Sequence, residues 1–156
     1  MKTQVKIEFF KNGHHDLDWS VPPQWVACVE AKDWKQLDHL ASLALDKDGE
    51  LFELLNQFCP INKLEFILSL RTAPDEAGIW HDDGSRELAF SLSLNLSQFQ
   101  GEGLSLRKKN QIDTQVSIGY RPLGRLSLFL TGIHGYEHRT EEVKLGERLV
   151  LAGWIN

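Results

Sequence analysis

The sequence predicts a mainly β fold with N-terminal helices, in which two antiparallel sheets form a barrel and the helices cover one of them. Three observations carry this. Apolar residues at helical spacing occur only before Pro60, and from Leu64 onward the apolar pattern alternates with a period of two. Turn glycines and prolines cut that second region into many short strands. At 156 residues, 42% hydrophobic and 25% charged, the chain has the size and composition of one globular domain. Such a length buries roughly two-thirds of the unfolded surface in one core. The expected division is 1–62 for the helical support and an N-terminal strand, and 63–156 for the barrel.

Taken in order, Thr3 to Phe10 alternates Val5, Ile7 and Phe9 with polar residues and reads as a strand, turned by Asn12-Gly13. His14 and His15 fall in the loop that follows, as solvated side chains. Pro22-Pro23 reads as a helix breaker. Asp33 with Gln36 three residues on resembles a capping box. Trp34, Leu37, Leu40, Ala41, Ala44 and Leu45 then recur as the buried stripe of an amphipathic helix, with His39 at its boundary. Leu51, Leu54, Leu55 and Phe58 predict a second short helix, ended by Pro60.

In the strand region, Leu64, Phe66, Leu68 and Leu70 share one face of the first strand. Between Glu87 and Asn95 the alternation is sharper. Leu88, Phe90, Leu92 and Leu94 suit packing under helices, and Ala89, Ser91, Ser93 and Asn95 suit a cavity lined with small polar groups. Gly101-Glu102-Gly103 turns into another strand, and Arg107, Lys108 and Lys109 read as solvated surface. Pro122-Leu123-Gly124 leads into Leu126–Leu130, Thr131–Tyr136 is a glycine-containing loop, and Arg148–Trp154 is the last strand.

The balance of 17 basic and 22 acidic residues, net −5, argues against a nucleic-acid backbone as the main partner. Cys28 and Cys59 match no metal or disulfide framework and read as two reduced thiols. No run approaches the ~20 apolar residues of a membrane span, and Met1–Phe10 lacks the apolar stretch of a signal peptide. The expected address is the cytoplasm.

Chemistry concentrates in Trp80-His81-Asp82-Asp83, read with His138 and Arg148. On an extended segment His81 and Asp83 project to the same face. A histidine from a later strand completes two imidazoles and one carboxylate on one side of a metal. That set leaves three positions open and suits Fe(II) holding a co-substrate together with dioxygen. Arg148, ten residues beyond His138, is placed to grip a carboxylate bidentately.

The ordered set His81-Asp82-Asp83-Gly84-Ser85-Arg86, Leu92-Ser93-Leu94-Asn95, Gly101-Glu102-Gly103-Leu104, Gly124 to Phe129, His138-Arg139, Gly146-Glu147-Arg148 and Gly153-Trp154 resembles the prolyl 4-hydroxylase-like branch of the 2-oxoglutarate/Fe(II) dioxygenases. The resemblance covers Leu64 to the end. It implies a double-stranded β-helix, or jelly roll, with one helix-covered sheet. It implies that His81, Asp83 and His138 bind Fe(II), that Arg148 pairs with the distal carboxylate of 2-oxoglutarate, and that hydroxylation of an unactivated C–H bond accompanies release of succinate and CO2. Trp154 corresponds to a position lining the metal cavity, and Arg86 to one at its mouth that contacts substrate. Ascorbate is a candidate reductant. The family's interval back from Gly146 and Arg148 ends on His138; from His134 the arginine comes four residues late, about 13 Å of strand.

Two positions depart from the family pattern. A tyrosine ten residues before the first histidine is here Arg71, whose strand parity directs it to the same cavity, where it supplements Arg148 or binds an acidic substrate. A second tyrosine is here Ser93. Loops Asn12–Asp18, Thr72–Gly78 and Asn110–Gly119 are expected to form the substrate mouth, for a prolyl peptide, an amino acid or a small metabolite. The alternatives are a cupin-like barrel or degenerate oxygenase that binds metal without oxidising anything, and an interaction module presenting Trp25, Trp34, Lys108 and Lys109.

Overall fold

The computed structural model describes residues 3–118 and 121–156. Met1, at the start of the alternating N-terminal segment, and Gly119, at the end of the third mouth loop, lie outside the described residues.

The chain opens with helix α1 (Thr3–Asn12), where alternation predicted a strand. Ten residues are too few to separate a period of two from one of 3.6, and packing decides. Phe9 is fully buried and meets Phe58 edge-on, ring centroids 5.7 Å apart, while Phe10 stays 42% exposed. Gly13, at φ +79°, turns the chain into strand β1 (His14–Asp18), so the segment expected as a histidine loop is also a strand. The prolines read as a breaker instead begin a helix. Pro23 occupies the first turn of α2 (Pro23–Ala31), where its missing N–H would have had no intrahelical partner. In α3 (Trp34–Leu45) the Asp33 side chain accepts the Gln36 N–H at 3.0 Å, as the capping pattern predicts. Leu37, Ala41 and Leu45 are its buried stripe. A short α4 (Glu50–Asn56) buries Leu51 and Leu55.

The remainder is antiparallel β-structure. Strands β2 (Leu64–Thr72), β3 (Leu88–Ser93), β7 (Arg125–Leu130) and β10 (Glu147–Ile155) join β1 in a five-stranded sheet of order β1-β7-β3-β10-β2. The smaller sheet has two parts. Strand β5 (Leu104–Lys108) lies between β6 (Val116–Ser117) and β8 (Tyr136–Thr140), and β4 (Gln100–Gly101) pairs with β9 (Val143–Leu145). Residues 75–81 run along the other side of β8 and β9 without a continuous ladder. They are held by the Asp75–Val143 pair, by the Gly78 N–H on the Thr140 carbonyl at 2.8 Å, and by the His81–His138 pair. The chain therefore changes sheet repeatedly: β2 large, 75–81 small, β3 large, β4 to β6 small, β7 large, β8 and β9 small, β10 large.

The leucine face lies where the alternation put it. Leu88, Phe90, Leu92 and Leu94 pack with Leu126, Leu128, Leu149 and Leu151 against the helices, in one cluster that includes Phe9, Trp25, Leu37 and Phe58. The opposite face of β3 looks toward the smaller sheet, where Ala89 and Phe129 meet Leu104, Leu106 and Ile118 in a second, smaller cluster. Gly153 lets β10 cross this region closely, since a Cβ there would meet the Phe90 ring at 2.3 Å. Cys28 and Cys59 are both free thiols. No helix among the described residues is long and apolar enough to cross a membrane.

Candidate metal centre

Two backbone hydrogen bonds bring the first and last ligands together. His81 N–H donates to the His138 carbonyl at 3.1 Å, and His138 N–H returns the bond at 2.9 Å. Residues directly opposed on neighbouring strands project to the same face, and the two imidazole centroids are 4.5 Å apart. Asp83 returns to that face two residues later. His81 Nε2 lies 3.9 Å from Asp83 Oδ1, and His138 Nε2 lies 3.7 Å from Asp83 Oδ2. Ligand atoms of all three lie within 4.8 Å of one another, and no other such group occurs among the described residues. Divalent first-row ions bond imidazole nitrogen and carboxylate oxygen at about 2.0–2.2 Å. Two such bonds span up to about 4 Å, so small side-chain rotations close the set around one ion.

Each ligand is held by a neighbour. A backbone carbonyl only accepts, so Ile79 O, 3.0 Å from His81 Nδ1, places the proton on that nitrogen and leaves the Nε2 lone pair facing Asp83. Thr131, fully buried after the end of β7, donates its hydroxyl to Asp83 Oδ2 at 3.0 Å. This turn approaches the ligand loop so closely that a Cβ on Gly132 (φ +45°) would meet the Gly84 carbonyl oxygen at 2.2 Å. The His138 ring is buried edge-on to Phe129, centroids 5.0 Å apart. Burial pushes its imidazole pKa down to about 4 against the opposing pull of Asp83, so the ring is neutral at pH 7 and its lone pair is free for a metal. His81 is 47% exposed at its side chain and leaves one flank of the site open.

Strand parity sends Trp80 to the outer face of the smaller sheet. There two guanidinium groups lie against its ring, Arg107 at 3.9 Å and Arg139 at 5.0 Å from the centroid. Arg107 pairs with Glu137 at 2.6 Å and Arg139 with Glu141 at 2.9 Å. This stack fastens the ligand-bearing segment to β8 from outside. The basic run read as solvated surface is thus partly committed, since Lys109 also pairs with Asp82 beside the ligands.

On the inner side a cavity of about 130 Å³ opens between the sheets, with His81 and His138 among its lining and Ser69, Ser91, Phe129, Thr140, Arg148 and Trp154 around the rest. Arg148 is 6% exposed. No carboxylate pairs with it among the described residues, although Arg71 lies directly across the ladder. Burial, with Arg71 adding to it, lowers its pKa to about 10, which keeps it charged at pH 7. A buried cation without a counter-ion is costly, and an anionic ligand in the cavity relieves that cost.

Asp83 therefore stands beside the two histidines, and His81, His138, Arg148 and Trp154 line one cavity. Arg86 lies at its edge, its guanidinium 5.4 Å from the Trp154 ring centroid and paired with Glu65 at 2.7 Å. Arg71 has the expected parity, but its guanidinium donates to Asp75 at 2.6 Å and to the Glu141 and Glu76 carbonyls. Ser93 lines a smaller adjoining cavity and donates to the Arg121 carbonyl at 2.7 Å. His134 sits away from the ligands, 3.9 Å from Glu87 and edge-on to Phe10. Thr131, the Ile79 carbonyl and the Trp80 stack were not legible from residue spacing, because each reaches the ligands through a fold contact.

Comparison with solved structures finds the same fold. A prolyl-4-hydroxylase from Pseudomonas putida aligns over 98% of this chain and 90% of its own, at 20% identity and a TM-score of 0.67. An oxidoreductase of the 2OG-Fe(II) oxygenase family from Burkholderia pseudomallei aligns over 97% and 88%, at 11% identity and 0.70. A prolyl hydroxylase from Trichoplax adhaerens, in complex with a hypoxia inducible factor oxygen degradation domain peptide fragment, aligns over 97% and 86%, at 14% identity and 0.63. No protein-family model matches the chain, and no curated protein matches it.

Proposed function

We propose that this chain is a 2-oxoglutarate- and Fe(II)-dependent oxygenase of the prolyl 4-hydroxylase-like type, hydroxylating a C–H bond of a prolyl residue or another amino-acid-like substrate. The observation that carries the reading is a shared cavity: a two-histidine, one-carboxylate group with an open flank faces the same space as a buried arginine that lacks an anion. The alternation of the chain between sheets supports a double-stranded β-helix, with 63–156 as the barrel and the preceding helices bracing its large sheet, all as one domain.

The residues present fit both absent groups. His81, Asp83 and His138 would hold the iron, and the donor set suits Fe(II) because three coordination positions stay free. Arg148 would hold the distal carboxylate of the oxo acid, with Trp154 as an apolar wall of the cavity. When bound, iron and 2-oxoglutarate supply the redox chemistry, in which one oxygen atom of O2 enters succinate and the other enters the hydroxylated product as CO2 leaves. The protein's own part is positional. The Ile79 carbonyl and the Thr131 hydroxyl orient two ligands, burial keeps His138 neutral, and the leucine-packed sheet keeps bulk water from the far side of the cavity. Arg86, beside Trp154, would meet a substrate entering past exposed His81.

The test is succinate release on incubation with Fe(II), 2-oxoglutarate and O2, which uncoupled turnover gives even without the substrate. Succinate above a His138→Ala control supports the reading. None above it, with iron still bound, favours a metal-binding barrel without oxygenase activity. A plain interaction module predicts no thermal stabilisation by 2-oxoglutarate. The present reading predicts about 2.7 kcal/mol at a hundred times the dissociation constant.

A further inference from the structure

The two edges of the large sheet are finished differently. Strand β1, at one edge, has five residues, two of them aspartates that pair with Arg121 and Arg125. Strand β2, at the other, has nine residues in unbroken register with β10, and between Glu65 and Arg71 it reads Phe-Ile-Leu-Ser-Leu. Soluble proteins blunt a free edge with short strands, charges, prolines or bulges. β1 has the first two, and the middle of β2 has none of them.

Ladder alternation fixes which groups of β2 face outward. Lys63 exchanges both backbone bonds with Asn156, and the Ala73 N–H donates to the Gly146 carbonyl. Odd-numbered residues between them therefore bond toward β10, while Leu64, Phe66, Leu68, Leu70 and Thr72 point N–H and C=O away from it. β2 pairs with no second strand, and these outward groups have no hydrogen-bond partner among the described residues. Side chains along the edge are open as well. Leu70, near Trp34 on the helix side, is 41% exposed, and Ile67, on the cavity side, is 50% exposed.

The strand is complementary to itself. A two-fold axis through Leu68 sets residue 64 against 72, 66 against 70 and 68 against 68, so each outward N–H meets an outward C=O. On the helix side Phe66 then meets the partner's Leu70. On the cavity side Ile67 meets the partner's Ser69, and Glu65 meets the partner's Arg71, opposite charges directly across a ladder. Moving the axis to Ile67 or Ser69 sets Arg71 against the partner's Lys63 or the partner's Ile67 instead, and leaves strand ends unpaired.

We propose that β2 is a dimer interface, along which a second copy of this chain pairs antiparallel and joins two five-stranded sheets into one. Ile67 and Ser69 line the metal cavity, so the partner strand extends that wall of each site. The inference does not depend on the oxygenase reading.

The experiment is sedimentation of the full chain across a wide range of concentration, and the expected result is a reversible dimer at twice the chain mass. Leu70→Pro removes one outward N–H and no bond to β10, and is expected to give a folded monomer where the wild type is dimeric. Leu68→Cys tests the register without breaking the edge. Opposed residues of such a pair lie about 5.5 Å apart at Cα, within disulfide reach. Mild oxidation is therefore expected to cross-link this variant but not the wild type, whose Cys28 and Cys59 are buried. A wild type that stays monomeric throughout overturns the inference. So does a dimer that survives Leu70→Pro and does not cross-link in Leu68→Cys. A monomer that instead takes up an extended prolyl peptide, with uptake lost in Leu70→Pro, assigns the edge to a peptide and overturns it too.

Discussion

Replacing Thr131 by valine preserves the side chain's shape and removes only the hydroxyl that donates to Asp83 Oδ2 at 3.0 Å. Thr131 is fully buried and the Asp83 side chain is 6% exposed, so no solvent stands ready to replace the bond. A hydrogen bond to a charged group contributes about 1.5–3 kcal/mol. For a chain of this size each kcal/mol moves the melting temperature by about 2–4 °C, so the metal-free variant is expected to melt roughly 3–12 °C lower. Removing a group that orients a metal ligand costs about 10–100-fold in affinity, measurable by titrating Mn(II) or Co(II) into both proteins. The competing effect has the opposite sign, because a carboxylate left short of a donor seeks a cation more strongly. Wild-type or tighter metal binding by Thr131→Val would therefore refute the view that this hydroxyl orients the ligand.

Arg148→Met should abolish the thermal shift that 2-oxoglutarate causes in the Mn(II)-loaded protein while leaving metal affinity within a few-fold; a retained shift would show that the oxo acid binds elsewhere. Trp80→Ala removes the ring that Arg107 and Arg139 contact, and is expected to weaken Mn(II) binding about tenfold or more with the β-sheet circular dichroism unchanged. Burial, with the Glu87 carboxylate adding to it, pushes the Cys59 thiol from 9.0 up to about 11. At pH 8 the folded protein should then carry about a hundredfold less Cys59 thiolate than the unfolded chain, and a thiol reagent should label it correspondingly slowly. Labelling of Cys59 at the unfolded rate would contradict that burial. The sign is fixed: the raised value favours the fold below pH 9, and this contribution is lost as pH rises from 9 toward 11.

How far the chain could be read in advance depended on how local each cause was. Asp33 declared the start of α3 because its partner, Gln36, is three residues away. Leu88 to Ser93 declared both faces of β3 because period two is a local property. The first helix was misread since a ten-residue segment with Phe9 inward fits either period, and contact with Phe58, distant in sequence, settles it. Strand β1 was missed for a related reason. His-His-Asp-Leu-Asp has no alternation, and only pairing with β7 at the sheet edge makes it extended. At the metal centre His81 and Asp83 were legible from spacing and His138 from the resemblance. Thr131 was not, because nothing in Leu-Thr-Gly announces that its turn closes over residues 83–86. Arg71 shows the limit of parity: it predicted the face correctly but not that Asp75 and two carbonyls would occupy the guanidinium.

Residues 75–81 reach the second sheet by scattered bonds rather than a ladder, yet they deliver one of the three side chains that a cation would bridge. An ion seated there would act as a rivet between two strips of backbone joined only at Asp75–Val143, Gly78–Thr140 and His81–His138 among the described residues. Loading and local order are then linked: a protease should nick the stretch between Thr72 and Trp80 more readily after chelation, and filling the site should protect it.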